Sequence, residues 1–324
     1  MPRDLSGAVV VITGASSGIG RAAAAEFAAA GARLVLAARE AQPLEVLAGE
    51  CGDALAVPTD VRDEEAVDAL ADAAVERYGR LDVWVNGAGV MAYGDFEQIP
   101  AEDFRAILET NLFGQVHGAR AALRCFRAQG DGVLVNMSSV WGRVTTPGVS
   151  AYVTSKFAVR AFGECLRHEL RDEPRISVAT MLPAAVDTPI FQHAGNYSGR
   201  RVRPIAPVVD PKEVARGIVA CARDPKREVT YGRVARLLEF LHSLAPGVYH
   251  RFAGAAFEAG NYADAPARPG AGNVAAPLGP YAVYGGWKSA HNGRELRRAA
   301  LAAALGGARG LLGIERRPGR GRGQ

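Results

Sequence analysis

Val9-Val10-Val11-Ile12-Thr13-Gly14-Ala15-Ser16-Ser17-Gly18-Ile19-Gly20 decides how the rest of the chain is read. Four β-branched residues in succession form an apolar run of strand length without polar alternation, the pattern of a strand covered on both faces. The run passes directly into glycines at 14, 18 and 20 and then into an Ala-rich stretch, 21–30, of helical composition. In a strand, glycine turn and helix so connected, the glycines allow a tight turn and the close approach of a pyrophosphate. The first helical amides and the helix dipole then face that anion. Gly14, Ser16, Ser17, Gly18, Ile19 and Gly20 are on this ground candidate dinucleotide-binding residues. A turn that only needs flexible residues reads the same way, so the loop gains its weight from motifs farther along the chain.

Outward from it, apolar runs at 33–37, 54–57, 83–85, 132–136 and 176–180 alternate with helical stretches from about 43 and at about 64–78, 102–129 and 150–171. A helix at 211–223, opened by Asp210-Pro211 as cap and first-turn proline, precedes a last candidate strand at 228–231. This alternation predicts βαβ units and hence an α/β fold with a doubly wound parallel sheet of the Rossmann type, helices on both faces. Residues 1–255 are expected to form this catalytic and dinucleotide-binding domain. Within it, 187–210 lacks clean periodicity and reads as a lid over the site or as a solvated polar loop. From 256 to 324 Gly, Pro and Ala dominate, with a basic helix expected at 294–305.

With 48% hydrophobic and 22% charged residues, the 324-residue chain has the balance of a folded globular protein. The net charge is +4, but Lys288 to Gln324 holds nine Lys/Arg against two Glu. The body is therefore about −3 and gives a nucleic-acid role no support. Cys51, Cys125, Cys165 and Cys221, without CxxC spacing, argue against a disulfide framework and a zinc site, and are expected to be reduced and mostly buried. With no signal-peptide core and no long charge-free apolar span, a cytoplasmic protein is the plain expectation. In the tail, Leu301, Leu305 and Leu312 fall on one helical stripe among arginines. Glycines there weaken any helix, so the tail reads first as disordered or loosely docked, and second as a contact with an anionic membrane surface.

The second strand ends in Ala37-Ala38-Arg39. A carboxylate near this point normally takes the ribose 2′-hydroxyl of NAD, whereas an arginine accommodates a 2′-phosphate. Arg39 thus favours NADP(H), and the neighbouring Glu40 leaves NAD(H) open. Asp60 and Val61, after the third strand, are candidates for the adenine edge. Asn86, Gly87 and Ala88, with Gly89 after them, offer small residues where the chain passes close to the cofactor. Tyr152 and Lys156, at i and i+4, share a helix face. An ammonium beside a phenol lowers its pKa from about 10 toward working pH, as a general acid/base requires. Ser139, just past the fifth strand, is a candidate hydrogen-bond partner of the substrate oxygen. Taken bare, Tyr-x-x-x-Lys also describes an ordinary amphipathic helix.

Thr13-Gly14-x-x-x-Gly18-x-Gly20, Asn86-Gly87-Ala88-Gly89, Asn111, Ser139, Tyr152-x-x-x-Lys156 and Pro183-x-x-Val186-x-Thr188 come in an order and spacing that resembles the short-chain dehydrogenase/reductase family, over about residues 5–235. The resemblance implies an oxidoreductase that transfers a hydride between NADP(H) and a small-molecule carbonyl or alcohol. It implies that Tyr152 exchanges a proton with the substrate oxygen and that Ser139 polarises that oxygen. Lys156 would bind the nicotinamide ribose and lower the tyrosine pKa, and Asn111 would anchor a water relay. Pro183 would lie near the nicotinamide, with Val186 and Thr188 holding its carboxamide. A homodimer or homotetramer through the helices at 102–129 and 150–171 is implied as well. Two departures, Gly87 for the usual Asn and Ala184 for the usual Gly, remove no catalytic group.

For the substrate, Tyr93, Phe96, Trp141 and Val144 are pocket candidates by proximity to these motifs. In the lid, Phe191, His193, Asn196, Tyr197, Arg200, Arg201 and Arg203 would cover an apolar substrate or attract an anionic one. Competing readings are an NAD(P)-binding epimerase or dehydratase and a non-catalytic dinucleotide-binding protein. The latter has no need of Ser139, Tyr152, Lys156 and Asn111 together.

Overall fold

The computed structural model describes residues 2–232, 239–240 and 242–290. Seven strands form one sheet: β1 (Val9–Thr13), β2 (Arg33–Ala38), β3 (Ala54–Pro58), β4 (Val83–Asn86), β5 (Gly132–Met137), β6 (Ile176–Pro183) and β7 (Glu228–Tyr231). All pair in parallel, in the order β7-β6-β5-β4-β1-β2-β3. Successive side chains of a strand point to opposite faces, so a strand that is apolar throughout needs cover on both. Val10 and Ile12 pack with Leu34, Leu36, Val83 and Val85 under the helices α1 (Gly18–Ala29) and, much later in the chain, Pro211–Arg223. Val9 and Val11 pack with Val35, Trp84 and Leu134 under two others, Glu64–Tyr78 and Gly114–Gln129. The strand order reverses between β1 and β4, whose last pair is Thr13 and Asn86. Outside the carboxyl ends of the strands at such a switch point lies the usual ligand crevice of an open α/β sheet.

The expected helix at 102–129 is present but not uniform. It runs as Ala101–Leu108, a wide π-type turn over Glu109–Phe113, and Gly114–Gln129. The buried Asn111 side chain draws this turn outward: its Oδ1 accepts from Val90 N (2.8 Å), and its Nδ2 donates to Val90 O (2.9 Å) and Ser155 Oγ (3.0 Å). Gln115 fills in for the disturbed backbone ladder by donating its side-chain amide to Asn111 O (3.1 Å). A widened turn of this kind inside a helix commonly marks a functional position.

The segment 187–210 is not a free lid. Gly195–Asn196 pairs with Ala92–Tyr93, and Arg200–Val202 pairs antiparallel with Tyr262–Pro266. Its polar residues are spent on holding it down. Tyr197 donates to Asp103, Arg200 pairs with Glu258, and Arg203 donates to the carbonyls of Ala259 and Gly260.

The change of character expected near residue 255 falls inside a helix, Pro246–Asn261, whose Phe257 is buried and stacks on Tyr93 with ring centroids 6.3 Å apart. The helix expected at 294–305 and the leucine stripe of the tail lie outside the described residues. All four cysteines are free, but only Cys221 is buried and Cys165 is exposed, which corrects the expectation of mostly buried thiols. No helix among the described residues is long and apolar enough to cross a membrane.

Candidate active site

The β1–α1 turn is held open by the absence of side chains. Gly14 has φ +68°, and a Cβ there would come within 2.7 Å of the Ala88 backbone; a Cβ on Gly20 would lie 2.2 Å from Gly14 O. Thr13 Oγ1 staples the turn to the loop after β4 by accepting from Gly87 N (3.1 Å) and Ala88 N (3.3 Å). The result is a groove walled by Gly14, Ser16 to Gly20, Arg39, Asp60, Val61, Gly87 and Ala88, continuing to Tyr152, Lys156, Pro183 and Thr188. A glycine cradle beside a helix N-terminus, running on past an arginine at the end of β2, fits an extended dinucleotide.

Two expected cofactor contacts are placed differently. Asn86 is buried below the groove, donating to Gln115 O (3.1 Å) and Asn136 Oδ1 (2.9 Å) while accepting from Trp84 Nε1 (2.7 Å). It braces the loop that carries Gly87 and Ala88 and does not line the groove. Val186 faces a second, apolar cavity instead of the groove. Asp60 does line the groove, but Arg62 Nε donates to both of its carboxylate oxygens (3.0 Å each), which engages the group expected at the adenine edge.

Ser139, Tyr152 and Lys156 converge where the groove meets the apolar cavity. Ser139 caps a single helical turn by accepting from Trp141 N (3.2 Å) and donates to Pro183 O (3.3 Å). Tyr152 and Lys156 project from one face of Ser150–Glu169, with Lys156 Nζ 5.3 Å from the phenol ring centre and donating to Met137 O (2.8 Å). Burial pushes the Tyr152 phenol up to about 12, opposed in part by its hydrogen bond with Ser139, and pulls Lys156 down to about 8. In this geometry burial moves the phenol opposite to the expected direction, and the Lys156 ammonium is turned toward the Met137 carbonyl. Asn111 lies one layer below: a Cβ built on Gly89 would lie 3.5 Å from Asn111 Oδ1 and 3.8 Å from Lys156 Nζ, so both atoms border the same spot.

The apolar cavity, about 160 Å³, is lined by Met91, Trp141, Phe191, Ile205 and Pro207 together with Ser139 and Tyr152. Trp141 meets the Tyr152 ring edge-on, with centroids 5.9 Å apart. Of the sequence-based pocket candidates, Trp141 and Phe191 line this cavity. Tyr93 and Val144 are core residues, and Phe96 is on the surface. Arg200 and Arg203 are turned to the protein, and His193 is buried against the groove. Sequence reasoning missed Asn273, Pro277, Leu278 and Tyr281, which form one side of the groove. Nothing in the local pattern marks them, since they arrive from the far end of the chain.

The short chain dehydrogenase family model matches residues 8–197. An uncharacterized oxidoreductase of Bacillus subtilis, YxnA, is 35% identical over 274 residues, covering 82% of this chain and 77% of that protein. Dehydrogenase/reductase SDR family member 7B of Bos taurus is 34% identical over 75% of this chain and 79% of its own length. A short chain dehydrogenase/reductase from Burkholderia phymatum, solved in complex with NAD, superposes with a TM-score of 0.68 at 27% identity, over 76% of this chain and 96% of that one. An alcohol dehydrogenase from Thermococcus sibiricus, complexed with 5-hydroxy-NADP, gives 0.60 at 29% identity, over 69% of this chain and 95% of that one. Sheet order, glycine turn and the matched length agree, and the chain belongs to the short-chain dehydrogenase/reductase family of oxidoreductases.

Proposed function

We propose that the protein interconverts a carbonyl and an alcohol with NADP(H), on a small and moderately hydrophobic substrate. The observation that carries this reading is that Tyr152 lines both the polar groove and the apolar cavity, with Ser139 beside it on the cavity side. A substrate oxygen at that junction has two hydroxyls to meet. Ser139 polarises the oxygen and Tyr152 exchanges a proton with it. Burial favours the protonated phenol, the form that donates to a carbonyl oxygen when the reaction runs toward the alcohol. When bound, the nicotinamide supplies or accepts the hydride. Gly14, Ser16 to Gly20, Gly87 and Ala88 hold the dinucleotide backbone; Pro183 and Thr188 border its nicotinamide end, and Lys156 its ribose. Asn111 and Lys156, both bordering Gly89, hold the water that returns the proton.

The preference for NADP(H) rests on Arg39. Among the described residues its guanidinium meets the Asn273 carbonyl (2.9 Å) and no carboxylate within ion-pair distance, and so stays open to a phosphate. A homodimer or homotetramer through Ala101–Gln129 and Ser150–Glu169 belongs to the same reading, supported by the exposed Phe113 between the two helical halves. A cytoplasmic setting is consistent with the four free cysteines.

Titration with NADPH and NADH, monitored by tryptophan quenching, tests the cofactor assignment. Tighter NADPH binding should fall toward the NADH value in Arg39→Ala; equal binding of both, unchanged by the substitution, would refute it. In a ketone panel, Tyr152→Phe should retain NADPH binding and lose turnover by about 10²–10⁴-fold. Undiminished turnover would remove the proton-transfer role, and NADPH binding without turnover of any carbonyl in wild type would favour a non-catalytic protein.

A further inference from the structure

Residues 270–288 cross the mouth of the groove from the end of β2 to the segment after β6. On one side, Ala282 O accepts from Gly18 N (2.9 Å) and Tyr281 O from Arg21 (3.4 Å). On the other, Gly285 N donates to Asp187 O (3.2 Å), and the Asp187 carboxylate accepts from Trp287 N (2.7 Å) and Lys288 N (3.0 Å). Trp287 Nε1 donates to Thr188 O (3.1 Å), and its ring meets Phe191 edge-on. Anchored on both banks, the crossing segment is a fixed wall.

At the β2 end this wall sorts the charges. Arg39 has two carboxylates for neighbours, Glu40 and Asp60. Asp60 is engaged through both oxygens by Arg62, and Glu40 accepts the Tyr281 hydroxyl. Asn273, eight residues before Tyr281, offers Arg39 only a carbonyl. The guanidinium is therefore half-buried near two carboxylates that are both engaged elsewhere, and makes no direct ion pair with either, at the place where an adenosine 2′-substituent would lie if the groove holds a dinucleotide. A free Glu40 would act the other way: its carboxylate would pair with Arg39, repel a 2′-phosphate, and accept a 2′-hydroxyl.

We propose that Asn273–Trp287 is a third wall of the cofactor site and that Tyr281 is a cofactor-specificity residue, which holds Glu40 aside so that Arg39 is left for a 2′-phosphate. The inference rests on the NADP(H) reading above and adds to it a determinant from outside the Rossmann core.

The test measures binding of NADPH, NADH, 2′,5′-ADP and AMP to the full chain, as wild type, Tyr281→Phe, Glu40→Gln and the double variant; the last two ligands report the adenosine end without any turnover. Wild type should prefer NADPH over NADH and 2′,5′-ADP over AMP. Tyr281→Phe should weaken both phosphorylated ligands by about tenfold and leave NADH and AMP within about twofold, a loss of one charge-assisted hydrogen bond. Glu40→Gln in that background should restore the preference. Tyr281→Phe removes one oxygen from a partly exposed ring, and an unchanged thermal midpoint verifies folding. Should it unfold nonetheless, Glu40→Gln alone must leave the wild-type preference within about twofold, since Tyr281 already holds that carboxylate. A wild-type preference that survives Tyr281→Phe overturns the role of Tyr281 while Arg39 and NADP(H) stand. Equal binding of both cofactors by wild type overturns the NADP(H) reading and this inference with it.

Discussion

Lys156 is a charge placed in a nearly buried position. Burial brings its pKa from 10.5 to about 8, so between those values the unfolded chain carries a proton that the folded chain has released. Stability must then rise with pH across that window, and below about 8 the whole penalty, about 3 kcal/mol, bears on the folded state. Lys156→Met should accordingly unfold at higher denaturant than wild type at pH 7, and show no such rise between pH 8 and 10. Its Met137 acceptor is not orphaned, because Gln115 Nε2 also donates to it at 3.0 Å. Denaturant melts at pH 7 and pH 10 check this; a variant less stable than wild type at pH 7 would mean that the ammonium is better solvated than its burial implies. The tyrosine works in the opposite sense, its raised pKa favouring the folded chain only below about pH 10 and losing that contribution toward 12. The pairing Tyr152-x-x-x-Lys156 was legible because helical spacing alone puts the two on one face. The direction of their shifts was not, because it depends on desolvation by residues such as Trp141 that spacing does not locate.

The same contrast holds for elements. Seven strands and their covering helices arise from local apolar runs, and the glycine turn from three positions within seven residues of each other. The wide turn at Glu109–Phe113 has no such local cause, since what shapes it is Val90, 21 residues away. Asn111→Ala should leave Val90 N and O buried without partners, at a cost of about 2–5 kcal/mol for the two groups. Urea unfolding measures it; a loss under about 1 kcal/mol would show that the turn relaxes to a regular helix and re-satisfies them. The pinned segment at 187–210 was hidden for the same reason. Its strand pairings reach to residues 92–93 and 262–266, and sequence periodicity does not encode partners at that distance.

For the whole molecule, what remained illegible is the part of the site made from the chain's end. Tyr281 and Glu40 are 241 residues apart, and Arg39 and Asn273 are 234 apart. The composition of 256–290, rich in Gly, Pro and Ala, reads as an appendage, yet these residues complete the groove. Assembly is also a property at this scale. If Ala101–Gln129 and Ser150–Glu169 pair across a two-fold axis, sedimentation should give an even-numbered species, and Phe113→Glu, which sets a charge on the exposed face, should shift it toward monomer; a monomeric wild type would refute the proposed assembly.

The crossing segment also sets an order on the making of the protein. A chain emerges from the ribosome N-terminus first, and its early parts begin to organise while the rest is still being made. All seven sheet strands have been synthesised by residue 231, and with them both banks of the groove, but Tyr281 and Trp287 come about fifty residues later. The two banks are therefore complete in sequence before the third wall is made, so that closing the groove depends on residues that come last among those described.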